Sequence, residues 1–413
     1  MTWRRVAAVV GLALVAGAFA LVASARHGFF DLRVYHGAIN YWVSGRGALY
    51  DFVVPNSYYG FTYPPFAALV MSPMSLLSLS VTQVVSVVAA IPATLLVLWW
   101  LLSPTVRREG WTAWYALGLA AALTIAFEPV RETVNFGQVN LLLLALVGAD
   151  LLFGVARGRR WAGVGVGLAT AIKLTPGIFI VYLLVTRRWR AAIVAAATAA
   201  GATILAAVVT PDMSMVFWTE ALWNTDRVGD LAFISNQSLQ GAVARLNPDH
   251  PSTVLWGLLV VACLAVWAVR CRRAVAAGDE LTGFALTGVL GCLISPVTWV
   301  HHLVWLGPAL VLLIDRAAAA TTTRRRAGLL AFFGAGYVLL CSRLVWDFSD
   351  AYGTPIGWLL SNAYVWASLA LLVGLPVRAA DRAADPHRPA PALVAAQDGE
   401  RVGLPMEVKA EPA

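Results

Sequence analysis

The chain has 413 residues, of which 60% are hydrophobic and only 13% are charged, and its mean hydropathy is +0.73. Soluble domains are about half apolar and about a quarter charged, so this composition excludes an ordinary soluble fold. The net charge of +8 is divided among short arginine clusters between apolar runs, which argues against a nucleic-acid-binding surface. We therefore predict an all-α integral membrane protein whose partner is the lipid bilayer, with no nucleic acid bound.

Apolar runs long enough to cross a bilayer recur along the chain. A helical span needs about 20 such residues, and the sequence predicts a bundle of about twelve spans. They lie near residues 6–25, 83–102, 111–127, 137–154, 161–172, 174–186, 191–209, 254–270, 281–294, 303–315, 327–345 and 356–376. The first run ends in Ala23-Ser24-Ala25, which resembles a signal-peptide cleavage site, but its length favours a retained helix.

Beyond the last span the composition changes. Residues 377–413 are rich in alanine, proline and charge, and such a segment cannot bury enough apolar surface to fold. We therefore predict one transmembrane domain over residues 1–376, followed by a disordered cytoplasmic tail over residues 377–413.

Arginine clusters between the spans set the predicted orientation. They are Arg107 and Arg108, Arg157, Arg159 and Arg160, Arg187, Arg188 and Arg190, Arg270, Arg272 and Arg273, and Arg324, Arg325 and Arg326. Basic residues favour cytoplasmic loops, and every cluster falls inside when the N-terminus is inside. We predict a multi-pass plasma-membrane protein with both termini in the cytoplasm.

Two segments need a special topology to fit this scheme. The apolar stretch 63–79 is interrupted by Pro64, Pro65 and Pro73, and a full crossing there would move the next arginine cluster outside. We predict that it is re-entrant or interfacial. Residues 161–186 lie between two arginine clusters, so they should form a hairpin with Lys173 at its outer turn.

The unusual polar residues all fall on the predicted outer, periplasmic side. In chain order they include Asp31, Tyr35, Tyr63, Arg131, Glu132, Asn135, Gln138, Lys173, Asn236, Gln237, Trp299, His301 and His302. Ionisable residues at membrane depth are costly and mark function more often than chance. We therefore predict that the active face is periplasmic.

Several of these residues also have a purely structural explanation. Asp31 suits a helix N-cap, Arg131 and Glu132 suit an ion pair along a helix, and Lys173 suits a side chain that extends to the membrane interface. His301 and His302 suit interfacial hydrogen bonding. Their joint placement on one side of the membrane favours function over all of these explanations together.

The residue types on the external face restrict the chemistry. The sequence contains neither an HExxH nor a GxSxG motif, and its four cysteines lie in or beside apolar runs without metal-site spacing. We therefore predict no metal and no cofactor. Aromatic, amide and carboxylate groups suit sugar recognition, a carboxylate can act as a general base, and Lys or His can stabilise a leaving phosphate. Since sugar nucleotides are absent outside the cell, the available donor is a lipid-linked phosphosugar.

Six motifs in these clusters recur in the same order in one known family. They are Asp31-Leu-Arg-Val-Tyr35, Gly60-Phe-Thr-Tyr-Pro-Pro65, Asn135-Phe-Gly-Gln-Val-Asn140, Gly167-Leu-Ala-Thr-Ala-Ile-Lys173, Ser235-Asn-Gln-Ser-Leu239 and Ser295-Pro-Val-Thr-Trp-Val-His-His302. Over residues 6–376 the chain resembles the actinobacterial GT-C glycosyltransferases, which use polyprenyl-phosphate sugars to build cell-envelope glycolipids. His27-Gly-Phe-Phe-Asp31 and Tyr59-Gly-Phe-Thr-Tyr-Pro-Pro65 resemble most closely the members that elongate phosphatidylinositol mannosides.

The resemblance implies a GT-C bundle with a catalytic first external loop. It implies an inverting transfer of mannose, in α-1,2 linkage, from polyprenyl-phosphate-mannose to a phosphatidylinositol mannoside. The family's base matches Asp31, and its catalytic histidine pair matches His301 and His302. Donor-phosphate and substrate binding is implied for Lys173, Arg131, Glu132, Asn135, Gln138, Asn236, Gln237, Tyr35, Tyr63 and Trp299. Thr298 is a slight departure, since serine is common before the tryptophan.

Alternatives remain open at this point. One is arabinofuranosyl transfer from decaprenyl-phosphoarabinose, which an assay with both donors would separate. Another is a lipid or glycolipid transporter, which would be expected to place polar groups near the midplane and to show related halves; the sequence shows neither. A third is a non-enzymatic scaffold, which would tolerate changes at Asp31.

Overall fold

The computed structural model describes residues 2–23, 27–55, 57, 59–223 and 229–378. Over these residues it is helical, and its β-structure is one isolated antiparallel bridge between Val53 and Gly60. The prediction of an all-α protein is confirmed. Residues 24–26, at the cleavage-like site, and 379–413, in the predicted tail, lie outside the described residues, so the division into domain and tail stays a prediction.

The helices alternate with short 3₁₀ and π-helical segments. The α-helices are α1 (Thr2–Ala23), α2 (Phe30–Val43), α3 (Pro65–Met71), α4 (Leu79–Glu109), α5 (Ala113–Ala126), α6 (Glu128–Phe136), α7 (Asn140–Ala149), α8 (Val164–Ile172), α9 (Ile178–Val185), α10 (Trp189–Val209), α11 (Pro211–Val216), α12 (Leu239–Ala244), α13 (Thr253–Ala276), α14 (Glu280–Ile294), α15 (Gly307–Ala318), α16 (Thr323–Ser342), α17 (Pro355–Ser361) and α18 (Ala363–Gly374). The 3₁₀ segments are Leu49–Asp51, Ser72–Leu76, Thr175–Gly177, Val300–Leu306 and Leu344–Phe348, and the π-helical segments are Asp150–Val155 and Phe217–Ala221.

Five helical stretches of the described chain are long and apolar enough to cross a membrane, namely α1, α4, α10, α13 and Val300–Ala318. Two bent pairs, α5 with α6 and α17 with α18, raise this number to seven. Shorter apolar helices at Asn140–Val155, Thr175–Val185 and Glu280–Ile294 occupy further predicted spans. The polytopic architecture is confirmed, whereas the count of about twelve spans stays a prediction.

The predicted hairpin at residues 161–186 is formed by α8 and α9. Arg190 Nη2 donates to the backbone oxygen of Gly158 at 2.9 Å, which brings together the two arginine-rich ends that flank the hairpin. The next helix, α10, packs along α8 through Gly167, where a Cβ would lie 2.5 Å from the backbone oxygen of Ala195. The chain therefore reverses direction between α8 and α9, as the predicted hairpin requires.

Both ends of the proline-interrupted stretch 63–79 contact helix α2. Tyr35 Oη donates to Tyr63 Oη at 3.0 Å, while His36 Nε2 lies 2.9 Å from the backbone oxygen of Leu77. Because Tyr35 and His36 are neighbours on α2, both ends of the stretch are held at one level. Its helical part, Pro65–Leu76, is also short, which agrees with a re-entrant or interfacial segment.

Two buried apolar clusters meet next to the predicted site. The smaller one joins α2, α3 and α11, with Ile39 and Phe217 among its members, and the larger one fills the space between the helices from α4 to α18. Val139 and Ile172 pack against both clusters. Their chain neighbours are predicted site residues, so these residues lie where the two clusters join.

Candidate functional site

The first turn of α2 carries Asp31 and is held tightly against α6. Phe29 takes a left-handed backbone conformation (φ 56°), and its amide donates to the backbone oxygen of Asn135 at 2.9 Å. Gly137 ends α6 with φ 70°, and a Cβ there would lie 2.6 Å from Cβ of Leu32. Only glycine satisfies both the conformation and the close approach, which brings the end of α6 beside Asp31.

A continuous chain of polar contacts, hereafter the Asp31–His302 chain, links five side chains. Gln138 donates from Nε2 to Asp31 Oδ2 at 2.5 Å and accepts at Oε1 from Tyr63 Oη at 2.6 Å. Lys173 Nζ donates to Tyr63 Oη at 3.1 Å and lies 3.1 Å from His302 Nε2. Five separate segments of the chain thus bring a carboxylate, an amide, a phenol, an amine and an imidazole together.

Two further residues fix this chain from the side. Asn140 accepts from Lys173 Nζ at Oδ1, at 2.9 Å, and donates from Nδ2 to the backbone oxygen of His301 at 3.1 Å. Tyr35, by donating to Tyr63, ties it to α2. Lys173 Nζ also lies 5.0 Å from the ring centroid of Tyr63, and its side chain is only 8% exposed. The lysine at the hairpin turn is therefore oriented by three neighbours, Tyr63, Asn140 and His302, and is buried within the protein.

The carboxyl group of Asp31 is half-buried and suited to accept a proton. Burial raises the pKa of Asp31 to about 6, against the lowering effects of the Gln138 hydrogen bond and of the charges on Lys173 and His27. Such a group is ionised at neutral pH and is more basic than an ordinary carboxylate. Burial also raises the pKa of Tyr63, so its phenol stays protonated and can donate to Gln138.

The two neighbouring histidines have different surroundings. The amide of Trp299 donates to His302 Nδ1 at 3.2 Å, and Nε2 of the same ring faces Lys173. His301 is 4% exposed and lies against Phe136, with ring centroids 5.1 Å apart. Its Nε2 has no hydrogen-bond partner among the described residues. Since buried polar atoms are nearly always paired, this nitrogen is available to a ligand.

His27 and Glu132 form a second polar pair close to Asp31. His27 Nε2 lies 2.8 Å from Glu132 Oε2, and the His27 ring stacks on Phe136 with centroids 4.0 Å apart. Arg343 Nη1 approaches the other oxygen of Glu132 at 3.8 Å. Sequence reasoning used His27 only as part of a motif and assigned it no role. Its position four residues before Asp31 was the one signal that pointed to it.

Arg131 lies away from the Asp31–His302 chain. Its guanidinium carbon is 5.2 Å from the ring centroid of Phe19 on α1, and its Nη2 lies 3.5 Å from the backbone oxygen of Cys341 on α16. Asn135 contributes its backbone oxygen to the turn before α2. These two predicted site residues therefore contact the helices and the turn around the site. Gln138, which follows α6 directly, is the one that contacts Asp31.

Asn236 and Gln237 brace the segment that carries the histidines. Asn236 Oδ1 accepts from the amide of Thr298 at 2.9 Å, and the amide of Gln237 donates to the backbone oxygen of Thr298 at 2.7 Å. Gln237 Nε2 also donates to the backbone oxygen of Ser361 at 2.9 Å. Both amide side chains are fully buried in backbone contacts, so they position Trp299 and the residues after it.

A small cavity reaches the Asp31–His302 chain from the side of α9 and α14. Asn140 and His302 form part of its wall, and Thr175, Ser295 and Thr298 also line it. Within the described ranges no three His, Cys, Asp or Glu residues are grouped to hold a metal ion. The arrangement instead brings a carboxylate, a lysine and two imidazoles close together, with His302 at the wall of this cavity.

Comparisons with known proteins agree with this chemistry. The profile of glycosyltransferase family 87 matches residues 61–296, a stretch that contains Lys173 but not Asp31. A polyprenol-phosphate-mannose-dependent alpha-(1-2)-phosphatidylinositol mannoside mannosyltransferase of Mycolicibacterium smegmatis is 32% identical, over 90% of this chain and 89% of that protein. The protein of the same description from Mycobacterium tuberculosis is 34% identical, over 84% and 85% of the two chains.

A further relative carries a different acceptor in its description. It is a polyprenol-phosphate-mannose-dependent alpha-(1-2)-phosphatidylinositol pentamannoside mannosyltransferase of Mycolicibacterium smegmatis, 35% identical over 69% of each chain. No solved structure matches the chain. The profile spans more than half of the sequence, and the relatives extend the likeness to most of the chain. The chain therefore belongs to glycosyltransferase family 87.

Proposed function

We propose that the protein transfers mannose from polyprenyl-phosphate-mannose to a phosphatidylinositol mannoside, with formation of an α-1,2 linkage. The observation that carries this proposal is the Asp31–His302 chain, which holds a proton acceptor at one end and phosphate-binding groups at the other. Two relatives share about a third of its residues over most of the chain. Their descriptions name this donor and this class of acceptor.

Asp31 acts as the general base in this reaction. It takes the proton from the 2-hydroxyl of the acceptor mannose as that oxygen attacks C1 of the donor mannose. The bond between C1 and the phosphate oxygen breaks in the same displacement, which inverts a β-linked donor to an α-linked product. A raised pKa suits this role, because the carboxylate is ionised before the reaction and basic enough to accept the proton during it.

Lys173, His301 and His302 receive the leaving polyprenyl phosphate. The phosphate gains negative charge as the glycosidic bond breaks, and preorganised donors stabilise such charge strongly in a site shielded from water. Lys173 is held by Asn140 and Tyr63, and His301 has an unpaired Nε2 among the described residues. These side chains do the work of a cation, so no metal or cofactor is required.

The reaction takes place on the periplasmic side, and both termini are cytoplasmic. The support for this orientation is that the charge bias assigns four segments of the site to one side. These are the first loop with Asp31, the segment with Gln138, the hairpin turn with Lys173 and the loop before His302. The contacts among these four residues agree with that assignment.

The test is transfer by the purified protein in lipid nanodiscs. Polyprenyl-phosphate-mannose and a phosphatidylinositol tetramannoside should give a product heavier by one hexose, which an α-1,2-specific mannosidase removes. Decaprenyl-phosphoarabinose should give no pentose adduct under the same conditions. A pentose adduct with no hexose adduct would replace this proposal with the arabinofuranosyl alternative. Lipid movement without transfer would support the transporter, which none of the relatives' descriptions favours.

A further inference from the structure

Arg343 has a backbone conformation that is unusual for an arginine. It follows α16 with φ 60°, the left-handed conformation in which helices commonly end and which glycine usually occupies. A residue with a Cβ is strained there, and strained residues are concentrated at functional sites. The contacts of the arginine side chain therefore indicate why arginine, and not glycine, ends this helix.

The guanidinium of Arg343 joins helix α1 to helix α6. Its Nη1 donates to the backbone oxygen of Ala23, the last residue of α1, at 2.7 Å. The same nitrogen lies 3.8 Å from Glu132 Oε1, and Nε lies 4.0 Å from Glu128 Oε1. Both carboxylates of α6 are almost completely buried, and a buried charge is costly unless it is paired. Arg343 supplies a positive charge to both of them.

The two carboxylates differ in their other partners. Glu128 accepts hydrogen bonds at both oxygens, from the indole of Trp346 and from a tyrosine hydroxyl. Glu132 Oε2 lies 2.8 Å from His27 Nε2, but Glu132 Oε1 has no hydrogen-bond partner among the described residues. The nearest cation to that oxygen is Arg343. The charge of Arg343 therefore acts chiefly on Glu132 and, through it, on His27.

Ala23 and His27 are the two ends of the connection between α1 and α2. Arg343 contacts the first directly and the second through the carboxylate of Glu132. His27 lies four residues before Asp31, and the backbone between them is bonded to α6. Since the first turn of α2 continues from this connection, its placement against α6 depends on how the two ends are held.

We propose that Arg343 is a positioning residue for Asp31. By holding Ala23 and, through Glu132, His27, it keeps the first turn of α2 against α6, so that the carboxylate of Asp31 stays in place. The inference rests on the proposed function, in which Asp31 is the base. Arg343 acts through the backbone of the first external loop, without a bond of its own to the substrate.

The first test compares two arginines that share one backbone conformation. Arg187 also has φ 60°, but it is exposed in a predicted cytoplasmic loop. Glycine favours this conformation, so neither Arg343→Gly nor Arg187→Gly should strain the backbone. Arg343→Gly should lower kcat by roughly 10²-fold with KM for the donor unchanged, the loss expected when a reacting group is misplaced by about 1 Å. Arg187→Gly should leave both values unchanged.

Two further variants give readouts that a general loss of stability would not give. Arg343→Lys keeps a cation at this position and should recover part of the rate. The double variant Arg343→Gly/Glu132→Gln should lose about as much kcat as the larger of the two single losses, because each change already breaks the same contact. Equal rates in the two glycine variants, no recovery with lysine, or losses that multiply in the double variant would overturn the proposal.

Hydrogen exchange tests the positioning role without reference to transfer. The amides of residues 29–33 should exchange faster in Arg343→Gly than in the unsubstituted protein, whereas Arg187→Gly should leave their exchange unchanged. Unchanged exchange at residues 29–33 in Arg343→Gly would reject the positioning role. Faster exchange there in a protein that transfers no mannose would support the positioning role and reject the proposed function.

Discussion

Gln138 Nε2 donates to Asp31 Oδ2 at 2.5 Å, although the two residues are 107 positions apart in the chain. The other end of the same amide accepts from Tyr63, so the amide cannot rotate without losing both bonds. One carboxylate oxygen of Asp31 is thereby held in place, and the other is left for a substrate hydroxyl. The network therefore has the proposed base at one end and the proposed phosphate-binding groups at the other.

Asp31→Asn should reduce mannosyl transfer by roughly 10²–10⁴-fold, the usual contribution of a general base, with little change in the amount of folded protein. The asparagine keeps the shape of the side chain and removes its ability to take a proton. Asp51→Asn is the matched control, because Asp51 is an exposed carboxylate in the same predicted external loop. Steady-state rates with excess donor make the measurement. Substantial transfer by Asp31→Asn would remove Asp31 as the base.

The rate should fall as the solution becomes acidic. The reaction needs the ionised form of Asp31, and its pKa is raised to about 6, so kcat/KM should be at its plateau above that pH and decline tenfold for each unit below it. The measurement is kcat/KM for the acceptor between pH 5 and pH 8. A plateau that extends unchanged down to pH 5 would show that Asp31 has an ordinary carboxyl pKa or does not act as the base.

Gln138→Leu should shift the decline of kcat/KM at acidic pH, hereafter the acidic limb of the profile, to higher pH. The hydrogen bond from Gln138 lowers the pKa of Asp31, so its removal leaves burial less opposed and the pKa rises further. At pH 7 the variant should then have a smaller ionised fraction and a lower rate, and raising the pH should recover part of that loss. Gln240→Leu, a change of the same type on α12, should leave the profile where it is. An unshifted limb in Gln138→Leu would contradict the assigned contact.

Lys173→Met should reduce kcat by about 10²–10³-fold, the range found when one donor to a developing negative charge is removed. Lys173→Arg should recover little, because a planar guanidinium cannot occupy the position that contacts Asn140, Tyr63 and His302 together. Lys409→Met changes the only other lysine of the chain and serves as the control. Full activity in Lys173→Met would exclude the lysine from phosphate binding.

The losses of kcat/KM caused by His27→Gln and Glu132→Gln should not be additive. If Glu132 orients His27 beside Asp31, the double variant should lose about as much kcat/KM as either single variant, since each change already breaks the pair. The acidic limb of the pH profile should shift in all three variants, because the charge of His27 lowers the pKa of Asp31. Additive losses, or losses with an unchanged profile, would indicate that the two residues act independently.

Much of the protein follows from the sequence alone. The membrane class depends on composition, the predicted hairpin at residues 161–186 depends on the arginine clusters around it, and the prediction that 63–79 is re-entrant or interfacial depends on its prolines and on loop parity. These are local or additive properties, so they can be evaluated without knowing which residues meet. The motifs around Asp31, Lys173 and His302 likewise indicated the family, because they are contiguous in sequence.

The tertiary structure decided which members of those motifs share one site. Arg131 and Gln138 lie in the same short segment, yet Arg131 faces α1 and α16 while Gln138 reaches Asp31. That difference depends on how α6 is rotated and on its end at Gly137, where a side chain would collide with Leu32. Spacing along the chain does not specify such rotation, because it results from packing between helices distant in sequence. The sequence therefore determined the all-α membrane class, and helix packing selected Gln138, Tyr63 and Lys173 as the groups that join Asp31 to His302.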